Sequence, residues 1–260
     1  MNTPTNTSTR PLAVITGASS GIGEQFARRY AREGFDLLLV ARSATVLHAL
    51  AAELSHEHGT TVDVHVADLA DPADLTKLTG ELVSGLPRLD HLVNCAGVAP
   101  GGDLADTDES TFRHLVELNV VALTLLTRAA IVRMRTAGRG TIVNVSSSAA
   151  YQPTPHLAAY GATKSYVLML TEAMSEENRA HGLRILSVAP GDTETPMNPG
   201  PTRNKRQPVQ VVDTTFAALA GKAPSVVDGL ANSVMATLSS RLFPRRLRLQ
   251  VAERMMRDKA

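Results

Sequence analysis

The sequence predicts an α/β fold: a doubly wound parallel sheet of about seven strands with helices on both faces, followed by a C-terminal helical extension. Three observations predict it. Short apolar runs alternate with helical patterns along most of the 260 residues, and strands covered on both faces read as near-continuous apolar runs. A glycine-rich turn, Gly17-Ala-Ser-Ser-Gly21-Ile-Gly23, lies between the first apolar run and the first helical pattern. Polar residues collect just past the ends of the runs, the edge at which parallel sheets bind ligands.

The elements follow in order. Leu12–Thr16 (LAVIT) is the first strand, and EQFARRYAREG after the turn is a helix ending at Gly34. Phe35 to Ala41 is the second strand and Ala44 to Glu57 a helix rich in Ala and Leu. Thr61 to Ala67 is the third strand, and a helix starts near Pro72, whose fixed φ suits a first turn. Leu89 to Val93 is the fourth strand, running into Asn94-Cys-Ala-Gly97. One long helical stretch covers about Asp108 to Ala137 and contains Asn119; Thr141 to Ser146 is the fifth strand. A helix around Tyr160 and a sixth strand, Leu183 to Ala189, come next. Val209 to Leu219 reads as a helix, while Pro224 to Gly229 leads into an element whose type the pattern leaves open. Right-handed crossovers between parallel strands make these pieces one sheet. Ser19, Ser20, Arg42, Asp68, Asn94, Ser147 and Thr193 all fall at its carboxyl edge.

Totals bound the function. A chain of this length buries one sizeable core, predicted to span residues 11–230 as a single domain after a disordered stretch at 1–10. Net charge of +1 gives no nucleic-acid footprint. One cysteine, Cys95, excludes an internal disulfide and suits the cytoplasm. The polar start MNTPTNTSTRP is neither a signal peptide nor a span, and no membrane-spanning segment of ~20 apolar residues is expected. The histidines are scattered, so no metal site is expected.

The chemistry concentrates between Ser147 and Lys164. Tyr160 and Lys164 are four apart, so on a helix they share a face. A neighbouring ammonium favours the phenolate, which matters because a free tyrosine titrates near ~10. Ser147 closes a buried strand and can bring a hydroxyl to the same place. An ordinary surface Tyr/Lys pair is the plain alternative, and the pair alone does not exclude it. The glycine turn is likewise either a phosphate cradle at a helix N-terminus or a plain tight turn. Its spacing, G-x-x-x-G-x-G, differs from the usual dinucleotide fingerprint.

Taken together, the motifs resemble the short-chain dehydrogenase/reductase family. They are Thr16-Gly-Ala-Ser-Ser-Gly-Ile-Gly23, Asp68, Asn94-Cys-Ala-Gly97, Asn119, Ser147 with Tyr160-Gly-Ala-Thr-Lys164, and Pro190-Gly191 with Thr193 and Thr195, in family order and spacing. Cys95 stands where a second asparagine is commoner, and Gly161 where serine is frequent. The resemblance implies a Rossmann-like fold and a nicotinamide cofactor. Tyr160 would be the general acid, Ser147 would polarise a substrate carbonyl, Lys164 would lower the phenol's pKa and hold the nicotinamide ribose, and Asn119 would hold a water linking Lys164 to solvent. Among Ser146, Ser147 and Ser148, the family spacing of thirteen residues before the tyrosine selects Ser147. Cofactor contacts would come from Gly17, Ser19, Ser20, Gly21, Ile22, Gly23, Arg42, Asp68, Leu69, Asn94, Ala96, Gly97, Tyr160, Lys164, Pro190, Gly191, Thr193 and Thr195. Cys95 would pack beside the cofactor without a redox role. His156 reads as a loop residue near the substrate mouth, with no catalytic role.

Ala41 occupies the place where NAD-preferring relatives carry aspartate, and Arg42 follows it. A missing acid and an added guanidinium both favour the 2′-phosphate, so NADP(H) is expected in preference to NAD(H). The partner would be a small carbonyl or alcohol, with acyl or carrier-bound substrates left open. A non-catalytic nucleotide-binding scaffold, or an epimerase or eliminating enzyme, remains the alternative on the same fold. A lid is expected at about 194–207. The extension at 231–260 mixes apolar residues with arginines, and packing on the fold, an acidic acyl carrier or peripheral membrane contact would each suit it. A homodimer is the first choice of assembly and a tetramer the second.

Overall fold

Residues 9–199, 205–234, 236 and 244–257 are described by the computed structural model. The expected disordered start lies outside them, apart from its last two residues, as do the middle of the expected lid and part of the tail. The strands are β1 (Leu12–Thr16), β2 (Asp36–Ala41), β3 (Val62–Val66), β4 (His91–Asn94), β5 (Gly140–Val145), β6 (Leu183–Ala189) and β7 (Ser225–Val227). They form one sheet in the order β3-β2-β1-β4-β5-β6-β7, every neighbouring pair parallel. The strand order reverses between β1 and β4, which opens a crevice at the carboxyl ends of the strands.

Helices cover both faces. α1 (Gly21–Arg32), α2 (Ala44–His58) and a later helix, Pro208–Leu219, bury Phe26, Tyr30, Leu47, Leu54 and Val211 against one face. α3 (Pro72–Gly80) and α5 (Leu123–Ala137) bury Leu75, Leu78, Leu126 and Met134 against the other. α4 (Glu109–Val116) precedes α5, α6 (Ala158–Asn178) lies along β6, Pro208–Leu219 is α7, and α8 (Arg245–Arg257) closes the described chain. Asp71 caps α3 by accepting from the amides of Ala73 and Asp74, with Pro72 in the first turn. Residues 230–234 are also helical.

The differences from the sequence reading have local causes. The expected second, third and fourth strands are shorter or shifted, and β3 is half exposed because it is the sheet's edge strand. The untyped segment after Pro224 is β7, paired with β6. The long helix is interrupted at Glu117–Ala122 by a wider π turn that carries Asn119. That whole stretch, Glu109–Ala137, is long and apolar enough to cross a membrane by length and composition. Leu115, Ala122, Leu123, Leu126, Ala129, Ala130 and Met134 are instead buried within the fold, which is what a core helix requires.

Candidate active site

The turn after β1 is too tight for side chains. A Cβ on Gly23 would stand 2.1 Å from the Gly17 carbonyl oxygen, and one on Gly17, where φ is +68°, would meet the Ala96 backbone at 2.9 Å. Glycine at both positions lets backbone approach a ligand closely. Ser20 is the N-cap of α1, yet its side chain makes no capping bond. The first-turn amides and the positive end of the helix dipole therefore face the crevice, where an anion is stabilised. Thr16 ties this turn to the strand beside it: its hydroxyl accepts from the amides of Cys95 and Ala96 at 3.0 and 3.1 Å.

A cavity of about 480 Å³ runs along the carboxyl edge, within the usual range for ligand pockets. Gly17, Ser19, Ser20, Gly21, Ile22 and Gly23 form one wall; Arg42, Ser43, Asp68 and Leu69 line one end. Cys95, Ala96, Gly97, Pro190, Gly191, Thr193 and Thr195 continue it, and Ser147, Tyr160 and Lys164 stand together at the other end. The turn, five loops and a helix thus bring nearly all the sequence-predicted residues to one place.

Asn94 and Asn119 are the exceptions, since neither lines the cavity. The Asn94 side chain is buried beneath it and donates to Thr127 Oγ1 at 3.0 Å and Asn144 Oδ1 at 2.9 Å. Asn144 in turn donates to Thr171 at 3.0 Å. This polar group fastens β4, β5, α5 and α6 through the Asn94 amide nitrogen, while its Oδ1 is buried without a partner among the described residues. Asn119 accepts from the Val98 amide and donates to the Val98 carbonyl, both at 3.0 Å, and donates to Thr163 at 3.2 Å. It holds the loop after β4 against α6, and a Cβ on Gly97 would lie 3.1 Å from Asn119 Oδ1 and 3.6 Å from Lys164 Nζ.

Among the three serines, Ser147 is the one whose side chain acts on the Tyr160 phenol, favouring its ionised form. Ser146 donates to the Lys164 carbonyl at 2.8 Å. Lys164 is buried and donates through Nζ to the Val145 carbonyl at 2.9 Å. Burial lowers its pKa to about 8. Burial also pushes the Tyr160 phenol above its ordinary value, a shift the neighbouring Ser147 side chain opposes. This corrects the expectation that Lys164 brings the phenol down: Nζ lies 5.8 Å from the ring centroid, and desolvation disfavours the charged forms of both groups. At neutral pH the phenol therefore carries its proton. The Cys95 thiol is pushed up to about 12 by burial, so it is protonated and a poor nucleophile.

Gly161 now has a reason. A Cβ there would stand 2.1 Å from the Thr154 hydroxyl oxygen, so Thr154 occupies the space a serine would need. Thr154, with Val98, Leu118, Gln152, Leu157, Met197 and Asn198, lines the cavity beyond Tyr160. Met197 and Asn198 lie in the segment expected as a lid; the sequence reading missed the others because, apart from Leu118 in the π turn, they come from loops without periodicity.

The profile of the family described as short chain dehydrogenase matches residues 11–206. The chain belongs to the short-chain dehydrogenase/reductase family. A relative named as a ketoacyl reductase of the granaticin polyketide synthase of Streptomyces violaceoruber is 35% identical over 193 residues, covering 74% of this chain and 71% of that one. A short-chain dehydrogenase from Sphingobium yanoikuyae, solved in complex with NADPH, superimposes with a TM-score of 0.80 at 33% identity, covering 90% of this chain and 96% of that one. A bulky-bulky ketone specific alcohol dehydrogenase from Comamonas testosteroni gives 0.79 at 30% identity over 97% and 96%. The seven-stranded parallel sheet is the fold shared with these short-chain dehydrogenases, and the family's members are oxidoreductases. Among the described residues no cluster of metal-ligating side chains occurs.

Proposed function

We propose that the chain is an NADPH-dependent carbonyl reductase, working in reverse as an alcohol dehydrogenase. The observation that carries this reading is the meeting of Ser147, Tyr160 and Lys164 on one cavity whose lining also includes the glycine phosphate cradle. The cradle fits a dinucleotide, since its backbone is bare of side chains and a helix N-terminus faces it. NADPH, when bound, supplies the hydride. Ser147 donates a hydrogen bond to the substrate's carbonyl oxygen and orients it. The protonated Tyr160 passes its proton to that oxygen as negative charge develops there. Lys164 holds the nicotinamide ribose beside the phenol, and Asn119 keeps the neighbouring loop in register. The panel that tests this contains ketones, aldehydes, acyl thioesters and sugars, followed by NADPH consumption and product analysis. Alcohol formed in proportion to NADPH consumed is the expected result. NADPH binding without any consumption across the panel would leave the scaffold reading, and a product with no net redox change would indicate an epimerase or eliminating enzyme.

The cofactor preference rests on Arg42. Its guanidinium is 65% exposed and stands 4.0 Å from the Asp68 carboxylate, a loose pair that leaves it able to turn to a 2′-phosphate. Ala41 and Ser43 flank it, so no carboxylate sits at the end of β2 itself. Charge-assisted hydrogen bonds contribute roughly 1.5 to 3 kcal/mol, or about ten- to a hundredfold in affinity. Arg42→Ala is expected to weaken NADPH by that factor and leave NADH nearly unchanged. Ala41→Asp should swing the preference toward NADH. Dissociation constants for both cofactors at two salt concentrations check this, and the wild-type preference should shrink at high salt. Equal wild-type affinity for NADH and NADPH would return Arg42 to an ordinary solvated side chain.

The helices around the long core stretch also carry large apolar side chains into solvent: Phe112 on α4, Leu125 and Val132 on α5, Tyr166 and Met169 on α6. A self-complementary patch is what a two-fold interface needs, so a dimer through these helices is expected. Light scattering at micromolar concentration should give twice the 27.6 kDa chain mass; a monomer would count against it.

A further inference from the structure

His156 lies four residues before Tyr160, and its backbone is in the left-handed region at φ 62°, which a non-glycine residue seldom adopts. Its imidazole is mostly buried. Nδ1 stands 2.7 Å from the Asp103 carboxylate, and Nε2 faces the Glu253 carboxylate at 3.5 Å, an ion-pair distance without hydrogen-bond geometry. These carboxylates come from separate parts of the chain. Asp103 sits in the loop after β4, and Glu253 is on α8, beside the buried Ala252. The His156 carbonyl accepts from the Gly102 amide at 2.8 Å. Next along the chain, Leu157 lines the cavity and packs toward Gly101 from the facing loop. One side chain thereby joins the turn before α6, the loop after β4 and the C-terminal helix.

We infer that His156 and Glu253 are positioning residues that fasten α8 to the rim of the substrate end of the cavity, so that the C-terminal extension sets how bulky a carbonyl compound can enter. The rim is built from two loops, 98–103 and 152–157, and α8 restrains both through a single ring. The ring presents one nitrogen to each carboxylate, Nδ1 to Asp103 and Nε2 toward Glu253. Releasing Glu253 frees the two loops, still joined to each other through His156 with Asp103 and Gly102, from α8. The effect is on the width of the entrance; Tyr160, Ser147 and the cofactor contacts stay as they are. The kinetic part of this inference rests on the carbonyl reductase reading, and the structural part does not.

The test uses the full-length protein with Glu253→Ala, Glu253→Gln and His156→Asn. Asparagine tolerates a left-handed backbone but has no ring to reach α8. Hydrogen exchange at the amides of Gly101, Gly102 and Leu157 is the first readout. It should quicken about two- to fivefold in Glu253→Ala and His156→Asn, the range of a partly exposed ion pair. Glu253→Gln, which keeps an acceptor oxygen, should fall between. The second readout is kcat/KM for a small and a bulky ketone. The ratio of bulky to small should rise by a similar factor through KM, with kcat for the small ketone and the NADPH dissociation constant unchanged. Exchange at the wild-type rate in Glu253→Ala overturns the inference whether or not any ketone is reduced. Faster exchange with an unchanged ketone ratio overturns the specificity role. If the wild type reduces no ketone, the exchange result alone decides whether the clasp exists, and the reductase reading fails separately.

Discussion

Tyr160→Phe is expected to lower turnover by about a thousandfold or more, within the 10² to 10⁴ that general acid help contributes and toward its upper part because, among the described residues lining the cavity, no other side chain is as suited to give the proton. Ser147 can donate a hydrogen bond to the substrate oxygen but is a far weaker acid than a phenol. Lys164 donates to the Val145 carbonyl and, in the proposed complex, to the nicotinamide ribose. The substitution removes one oxygen and leaves the ring, so the packing of α6 and the cradle should be untouched. NADPH affinity should stay within about twofold, well under the 1.4 kcal/mol that a tenfold change represents. The pH dependence carries the same assignment. Burial holds the phenol above its ordinary value, so it remains protonated across the neutral range and reduction should not decline there through its ionisation. Single-turnover measurement with saturating NADPH isolates the chemical step. A mutant that keeps the wild-type single-turnover rate would remove Tyr160 from the mechanism.

Much of this site was legible because its parts are tied to short local patterns. Gly17, Gly21 and Gly23 declare a turn that cannot hold side chains, and the strand before them fixes which edge of the sheet it occupies. The Tyr160/Lys164 spacing needs only a helix to put both groups on one face. Charge states and long-range partners were not legible. The pair suggests that lysine lowers the phenol, yet burial acts on both groups and reverses the direction, and burial is a property of the folded surroundings. Asn94 looks like a ligand contact because it ends a strand, but its side-chain nitrogen donates to Thr127 and Asn144, which lie 33 and 50 residues away. The π turn at Asn119 was not legible because the apolar residues before and after it, such as Leu115 and Leu123 to Leu126, each fit a helical pattern by themselves. His156 was read as a mouth residue; its link to Glu253 spans most of the C-terminal half and no periodicity encodes it.

Arg206→Ala should be the most destabilising of the substitutions considered, and it too depends on a pairing that no local pattern shows. Arg206 forms a two-pronged contact with Asp228, Nε to Oδ2 at 2.6 Å and Nη2 to Oδ1 at 3.0 Å. The Asp228 side chain is fully buried, and Thr214 donates to the same carboxylate at 2.6 Å. The backbone of Arg206 is bonded on both sides as well: its amide donates to the Asp192 carbonyl and its carbonyl accepts from the Glu194 amide. The pair therefore ties the segment carrying Thr193 and Thr195, at the cofactor edge, to α7 and the end of β7. Truncation leaves a buried carboxylate with one hydroxyl donor on its side chain. Breaking a buried pair costs about 3 to 5 kcal/mol, and the lower end applies because part of the guanidinium reaches solvent. For a chain of this size about 3 kcal/mol corresponds to a Tm lowered by roughly 6 to 12 °C. Adding Asp228→Asn to Arg206→Ala should recover a good part of that loss, because a neutral amide is cheaper to leave without a cationic partner. Asp228→Asn alone should cost less than Arg206→Ala. Thermal melts of the two single mutants and the double mutant supply the cycle. An Arg206→Ala melt within about 2 °C of wild type, or a double mutant no more stable than Arg206→Ala, would show that the buried charge is not what the arginine is there to balance.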